Sequence, residues 1–104
     1  MKQYTPRETA RMKEELYLEL ARGDIDIRAA TKKMRKIIGL NQRDYARKVA
    51  RISPRILSEF ESGTGNPTLA TLEKIASPFG LTVTFLPPES WRLTVMKSDK
   101  LGTS

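Results

Sequence analysis

The sequence predicts a mainly α-helical chain that ends in a short β-strand, and three observations carry that prediction. Apolar residues recur at helical spacing in five successive segments before residue 80. The segments open on capping residues such as Thr5, Asn41, Ser53 and Thr68, and several close on glycine. Over residues 81–86 the period changes to near-alternation with β-branched residues. A chain of 104 residues has room for one compact domain with appendages.

Thr5-Pro6-Arg7-Glu8 reads as a helix start: threonine caps, proline sits where its missing N–H costs nothing, and glutamate closes a capping box. Met12, Leu16 and Leu20 form the apolar stripe, and Gly23 is the stop. This amphipathic helix, taken as residues 1–23, packs either on the body of the protein or on a partner. Asp24 or Asp26 caps a second helix with Ile27, Ala30, Met34 and Ile37 on one face, ended by Gly39. Asn41 caps a third, with Tyr45, Ala46 and Val49 inward and Gln42, Arg43 and Arg47 near its exposed N-terminal end.

Ser53-Pro54 starts a fourth helix, with Ile56, Leu57 and Phe60 available for the core. After a turn through Asn66-Pro67, Thr68 caps a fifth, with Leu69, Leu72, Ile75 and Ala76 inward, and Ser77-Pro78 with Gly80 ends it. The main helical domain is then residues 24–80. Residues 81–96 form a strand or hairpin: either Trp91 to Met96 folds back onto 81–86, or the strand pairs with its copy in a second subunit. On the second reading Leu81, Val83 and Phe85 are dimerisation residues. Residues 97–104 lack periodicity and are expected to be a disordered tail.

The formal net charge of +7 points to a polyanionic partner, nucleic acid before an acidic membrane surface. The excess is concentrated in Arg28, Lys32, Lys33, Arg35, Lys36, Arg43, Arg47, Lys48, Arg51 and Arg55, with Asp44 the one acid in that stretch. Without cysteine or histidine, a zinc finger is excluded, and the usual general base and thiol nucleophile are missing. Gly63-Thr64-Gly65 lacks the lysine of a phosphate loop. The expectation is a non-enzyme with no cofactor and no metal. Residues 1–9 lack a signal-peptide core and no run approaches the roughly 20 apolar residues that span a bilayer, so a cytoplasmic location is expected, with no membrane partner.

Two short helices joined by a tight turn can place one helix in the major groove while the other holds it in register. Gln42 and Arg43, at the start of the third helix, suit phosphate. On the fourth helix Pro54, Arg55, Ser58 and Glu59 lie off the apolar face. Arg55 suits guanine O6 and N7, and Glu59 suits cytosine N4 or a salt bridge. Ser53 either caps the helix or meets phosphate, and Asn66 either shapes its turn or does the same.

Gly39-Leu40-Asn41-Gln42, Tyr45-Ala46-Arg47-Lys48-Val49, Leu57-Ser58-Glu59-Phe60-Glu61-Ser62-Gly63 and Asn66-Pro67-Thr68-Leu69 together resemble the Cro/repressor (Xre-like) helix-turn-helix family over residues 28–86. The resemblance implies a five-helix repressor-like domain, here with an extra N-terminal helix and the short C-terminal strand or hairpin. It also implies Gln42 on phosphate and Pro54, Arg55, Ser58 and Glu59 facing double-stranded operator DNA. The chain departs from the pattern at Ala50-Arg51, which stands where one glycine is usual and adds a residue before the reading helix. The strand is similar to that of HipB-type antitoxins. That likeness implies a homodimeric repressor of its own operon that neutralises a toxin, for HipB-type proteins a kinase. The alternatives are a stand-alone repressor and a basic protein-interaction module.

Overall fold

In the computed structural model, which describes residues 3–94, the chain is helical almost throughout. Helix α1 spans Pro6–Arg22, α2 Ile27–Ile38, α3 Gln42–Asp44 continuing as a π-helical turn Tyr45–Ala50, α4 Pro54–Ser62 and α5 Leu69–Ala76, followed by a 3-10 turn Ser77–Phe79. A last helix, α6, occupies residues 89–94. None of these helices is long and apolar enough to cross a membrane.

The local signals set the helix ends. The Thr5 hydroxyl accepts from the Glu8 N–H at 3.1 Å while the Glu8 carboxylate accepts from the Thr5 N–H at 2.9 Å, a complete capping box. Asp26, rather than Asp24, caps α2, accepting from the Ala29 N–H at 2.8 Å. Asn41, Ser53 and Thr68 cap α3, α4 and α5 in the same way. Each such cap is worth about 1 kcal/mol.

The core is a single cluster. Leu16 of α1, Ala30, Met34 and Ile37 of α2, Tyr45, Ala46 and Ala50 of the π turn, Leu57 and Phe60 of α4, and Ile75 and Phe79 are all buried. Helix α1 is therefore part of the body of the domain and not an appendage: Leu16 is fully buried, and Met12 and Leu20 pack against the cluster. On its outer side the Tyr17 hydroxyl donates to the Phe79 carbonyl at 2.6 Å, tying the first helix to the end of the fifth. Three residues expected inside are outside. Ile27, Ile56 and Leu69 are 43%, 40% and 59% exposed, because each lies in the first turn of its helix, where the apolar stripe runs past the edge of the cluster.

The additional residue at Ala50-Arg51 is taken up without displacing the next cap. The backbone winds as a π turn, so that the Arg51 N–H donates to the Ala46 carbonyl five residues back, and Arg51 adopts the left-handed conformation with φ 58° and ψ 50°. Ile52 then donates to the same carbonyl at 2.9 Å. A π turn is the usual way a helix absorbs one residue, and a left-handed arginine costs about 1 kcal/mol where glycine would cost little. Ser53 still caps α4 and Leu57 and Phe60 still face inward.

The C-terminal expectation is corrected. None of the described residues forms a β-strand, and residues 81–88 form a strap without regular structure. The hairpin does not form, because Pro87-Pro88-Glu89 starts a helix instead of only stopping a strand: the Pro88 carbonyl accepts from the N–H groups of Trp91 and Arg92 at 3.0 and 3.1 Å. Arg92 then donates to the Arg22 carbonyl at 2.6 Å and to the Pro87 carbonyl, placing its charge on the negative end of α1. Gly23 makes room for this clamp, since a Cβ there would stand 2.7 Å from the Arg92 guanidinium. The expected tail, residues 97–104, lies outside the described residues.

Tyr45 is fully buried and its hydroxyl donates to the Ile75 carbonyl at 2.8 Å. Burial, reinforced by the nearby Glu61 carboxylate, pushes its pKa up to about 12. The folded state thus holds a proton that the unfolded chain releases near pH 10, so this contribution is complete below pH 10 and is lost as pH rises through about 12. Tyr45→Phe should cost about 1 kcal/mol at neutral pH and flatten the fall in stability over that alkaline window, as read by denaturant titration at several pH values.

Candidate nucleic-acid interface

A helix that is to read DNA must be held from behind, and α4 is held by a buried ion pair. Glu61, whose side chain is 1% exposed, accepts from Arg35 of α2 through both oxygens, Nε–Oε2 at 2.7 Å and Nη2–Oε1 at 2.6 Å. The Gln42 side-chain amide donates to the same Oε1 at 3.0 Å. One carboxylate thereby joins α2, α3 and α4. Bidentate, charge-assisted geometry of this kind fixes orientation as well as adding energy.

Sequence reasoning does not single out Arg35 or Glu61, and it gives Gln42 a role on phosphate alone. A signal existed: Leu57, Phe60 and Glu61 are spaced to share one face of α4, so a carboxylate falls on the apolar stripe and needs a cation and hydrogen bonds there. Gln42 is half-buried, and one of its donors is occupied by Glu61.

The remaining candidates lie around the outer side of α4 and the turns at its ends. Ser53 is exposed but employed, its hydroxyl accepting from the Arg55 N–H at 3.2 Å. Pro54 is half-buried at the first helical position, and Ser58 is exposed. Arg55 has an 86% exposed side chain, and its Nε donates to Glu59 Oε1 at 2.9 Å, one helical turn on. Asn66 is exposed in the turn after α4, next to Gly65, whose φ of 78° requires glycine. A Cβ on Gly65 would also press on the Glu59 carboxylate at 3.1 Å. The Arg55–Glu59 pair therefore sits directly beside the turn that carries Asn66.

The basic cluster divides in two. Arg28 donates to the Phe60 carbonyl at 3.0 Å and lies over the Phe60 ring, Lys33 pairs with Glu19, Arg35 with Glu61 and Arg55 with Glu59. Lys32, Lys36, Arg43, Arg47, Lys48 and Arg51 are exposed and engage no acceptor among the described residues. Arg43 and Arg47 are four residues apart along the helical run from α3 into the π turn, and Lys32 and Lys36 are four apart on α2. Unpaired cations on the elements flanking a projecting helix are the electrostatic footprint of a phosphate backbone.

Residues 32–86 match the family model described as helix-turn-helix. No curated protein and no solved structure matches the chain.

Proposed function

The chain belongs to the helix-turn-helix family through residues 32–86, and from that premise we propose that this DNA-binding regulator is a sequence-specific repressor acting as a homodimer on operator DNA. The observation that carries the reading is α4 itself. It presents Arg55 almost wholly to solvent while the Arg35–Glu61–Gln42 network immobilises the helix from behind. Arg55 reads a guanine, and Glu59, released from it or alongside it, accepts from a cytosine. Pro54 and Ser58 flank them on the groove face. Gln42 and Arg43 hold phosphate at the N-terminus of α3, Ser53 caps the reading helix next to the backbone, and Asn66 meets phosphate from the following turn.

Leu81, Val83 and Phe85 join two subunits, which puts two reading helices on two half-sites. The exposure of Trp91 and Leu93, 62% and 52%, supports a protein partner at the C-terminal end. Together with the likeness to HipB-type antitoxins, it favours a repressor that also neutralises a toxin over a stand-alone repressor. Co-purification with the product of the neighbouring gene separates these two.

The test is binding to the DNA upstream of the protein's own gene against unrelated DNA across a salt series. A preference of about a thousandfold, with affinity falling steeply as salt rises, is the expected result. Equal, weak binding to both sequences overturns the repressor reading.

A further inference from the structure

The strap and helices α1, α2 and α5 line an apolar groove of about 340 Å³, near the lower end of the roughly 300–1,000 Å³ spanned by small-ligand sites. The buried Met34 and Ile75 lie inside it, Val83 belongs to its strap side, and Leu20, Ile25 and Leu86 line it where α1 ends. No lysine, arginine, aspartate or glutamate is in the lining. Its polar side chains are threonines, and the Thr31 hydroxyl is already given to the Ile27 carbonyl at 2.8 Å. A charge placed inside would be desolvated without a partner, so the groove suits an uncharged, apolar group.

Charge stands at one end of it. The Arg92 Nη2 and the Leu86 Cδ2 lie 2.7 and 3.1 Å from the point that a Cβ on Gly23 would occupy, so the guanidinium is a neighbour of the last lining residue. Arg92 gives Nη1 to the Pro87 carbonyl and Nη2 to the Arg22 carbonyl, and it pairs with no carboxylate among the described residues. Its Nε is buried and has no acceptor. A buried donor left without a partner is costly, and more so on a charged group. The Nε–Nη2 edge is the one through which a guanidinium takes a carboxylate by two parallel hydrogen bonds, as Arg35 takes Glu61. Nη2 carries two N–H bonds, so it can serve a carboxylate and the Arg22 carbonyl together.

We infer that the groove binds an aliphatic monocarboxylate, a medium-chain fatty acid in chemical class, with its tail between α2, α5 and the strap and its head group on the Nε–Nη2 edge of Arg92. Leu86, 51% exposed, turns aside to admit the head group. Charge complementarity selects this occupant: the lining rejects charge, and the cation at its end lacks both an anion and an acceptor for one donor. The inference goes beyond the operator reading and does not depend on it, since Arg55 and the outer face of α4 are not in the lining. A ligand held this way bridges α2, α5, the strap and α6, so its presence is read out at the C-terminal end of the domain.

The full chain has one tryptophan, Trp91, next to Arg92 on α6, so its fluorescence follows the head-group site. Decanoate, titrated below its micellar concentration, is expected to bind saturably by calorimetry, one molecule per chain, with a change in Trp91 emission. Decanol, with the same tail and no charge, is expected to bind about tenfold more weakly, and acetate not to bind over the same range. Arg92→Gln should bring decanoate down to the affinity of decanol and leave decanol unchanged. Val83→Phe, which fills the groove from the strap, should weaken both ligands about tenfold with the melting of the ligand-free chain near that of wild type.

Equal affinities of the wild type for decanoate and decanol overturn the head-group contact. Equal losses of both ligands in Arg92→Gln overturn it too, because the arginine would then only hold α6 in place. Uptake of decanoate that does not saturate, or that Val83→Phe leaves unaltered, overturns the site. A decanoate affinity that falls as protein concentration rises, in step with dimer formation in sedimentation, gives the groove to a second copy and overturns the ligand.

Discussion

Glu61→Ala is expected to lower the unfolding free energy by about 3–5 kcal/mol, the usual cost of breaking a buried ion pair and leaving one charge behind. The reason is geometric. Glu61 is 1% exposed at its side chain and Arg35 16%, so the guanidinium left behind has little water to turn to, and Gln42 loses its acceptor in the same step. A domain of this size is stable by only about 5–15 kcal/mol, so the variant should be partly unfolded near physiological temperature. Urea titration measures the loss. Replacing both partners, Arg35→Met with Glu61→Leu, should recover most of it, because the desolvation penalty is removed along with the attraction. The double variant should still bind DNA more weakly than wild type, since the polar tie that sets α4 against α2 and α3 is gone. A loss below about 1 kcal/mol for Glu61→Ala would place the pair in water and remove the support assigned to the reading helix.

The features legible in the sequence are those decided within a few residues. The capping box at Thr5 and Glu8 and the serine–proline start of α4 depend on neighbours in the chain, and they form as the residues dictate. The less legible features each depend on something distant or on a competing local signal. Glu61 reads as a surface acid until its spacing from Leu57 and Phe60 is taken seriously, and its partner is 26 residues away. The π turn has no composition of its own; it is the backbone's answer to one residue too many between Val49 and Ile52.

At the C-terminus, β-branched alternation over residues 81–86 satisfies the pattern of a strand but supplies no ladder within the chain. Pro87-Pro88-Glu89 satisfies the pattern of a helix start at the same place. The helix prevails because its hydrogen bonds are local and Arg92 can anchor it to α1, whereas a hairpin would leave the Arg22 carbonyl without that cation. For the candidate interface, the helix pair and the exposure of Arg55 off the apolar face of α4 are legible in the sequence. The division of the ten basic residues into paired and unpaired is visible only in three dimensions.

Arg55→Ala should lose about 1–3 kcal/mol of discrimination at one base position in each half-site, roughly five- to 150-fold, with little change in binding to unrelated DNA. In the free protein the Arg55 guanidinium is held by Glu59, and whether it can leave depends on what that pair is worth. With side chains 86% and 41% exposed, one turn apart on a helix, the pair contributes about 0.3–0.5 kcal/mol. On the proposed reading, a bidentate contact to guanine would exceed that severalfold, so the exchange on docking would be favourable and Glu59 would serve as a rest position for the arginine. Glu59→Gln should therefore leave Arg55 able to read guanine, changing preference only where the carboxylate would have met a cytosine. Arg43→Ala provides the contrast: an unpaired cation at the start of α3 should weaken all sequences similarly and lower the slope of log affinity against log salt by about one. Titrations of the three variants against an operator and its single-base changes, at two salt concentrations, separate reading from holding. Sequence-independent losses from both arginines would mean that α4 lies on the backbone and not in the groove, and the guanine contact would have to be given up.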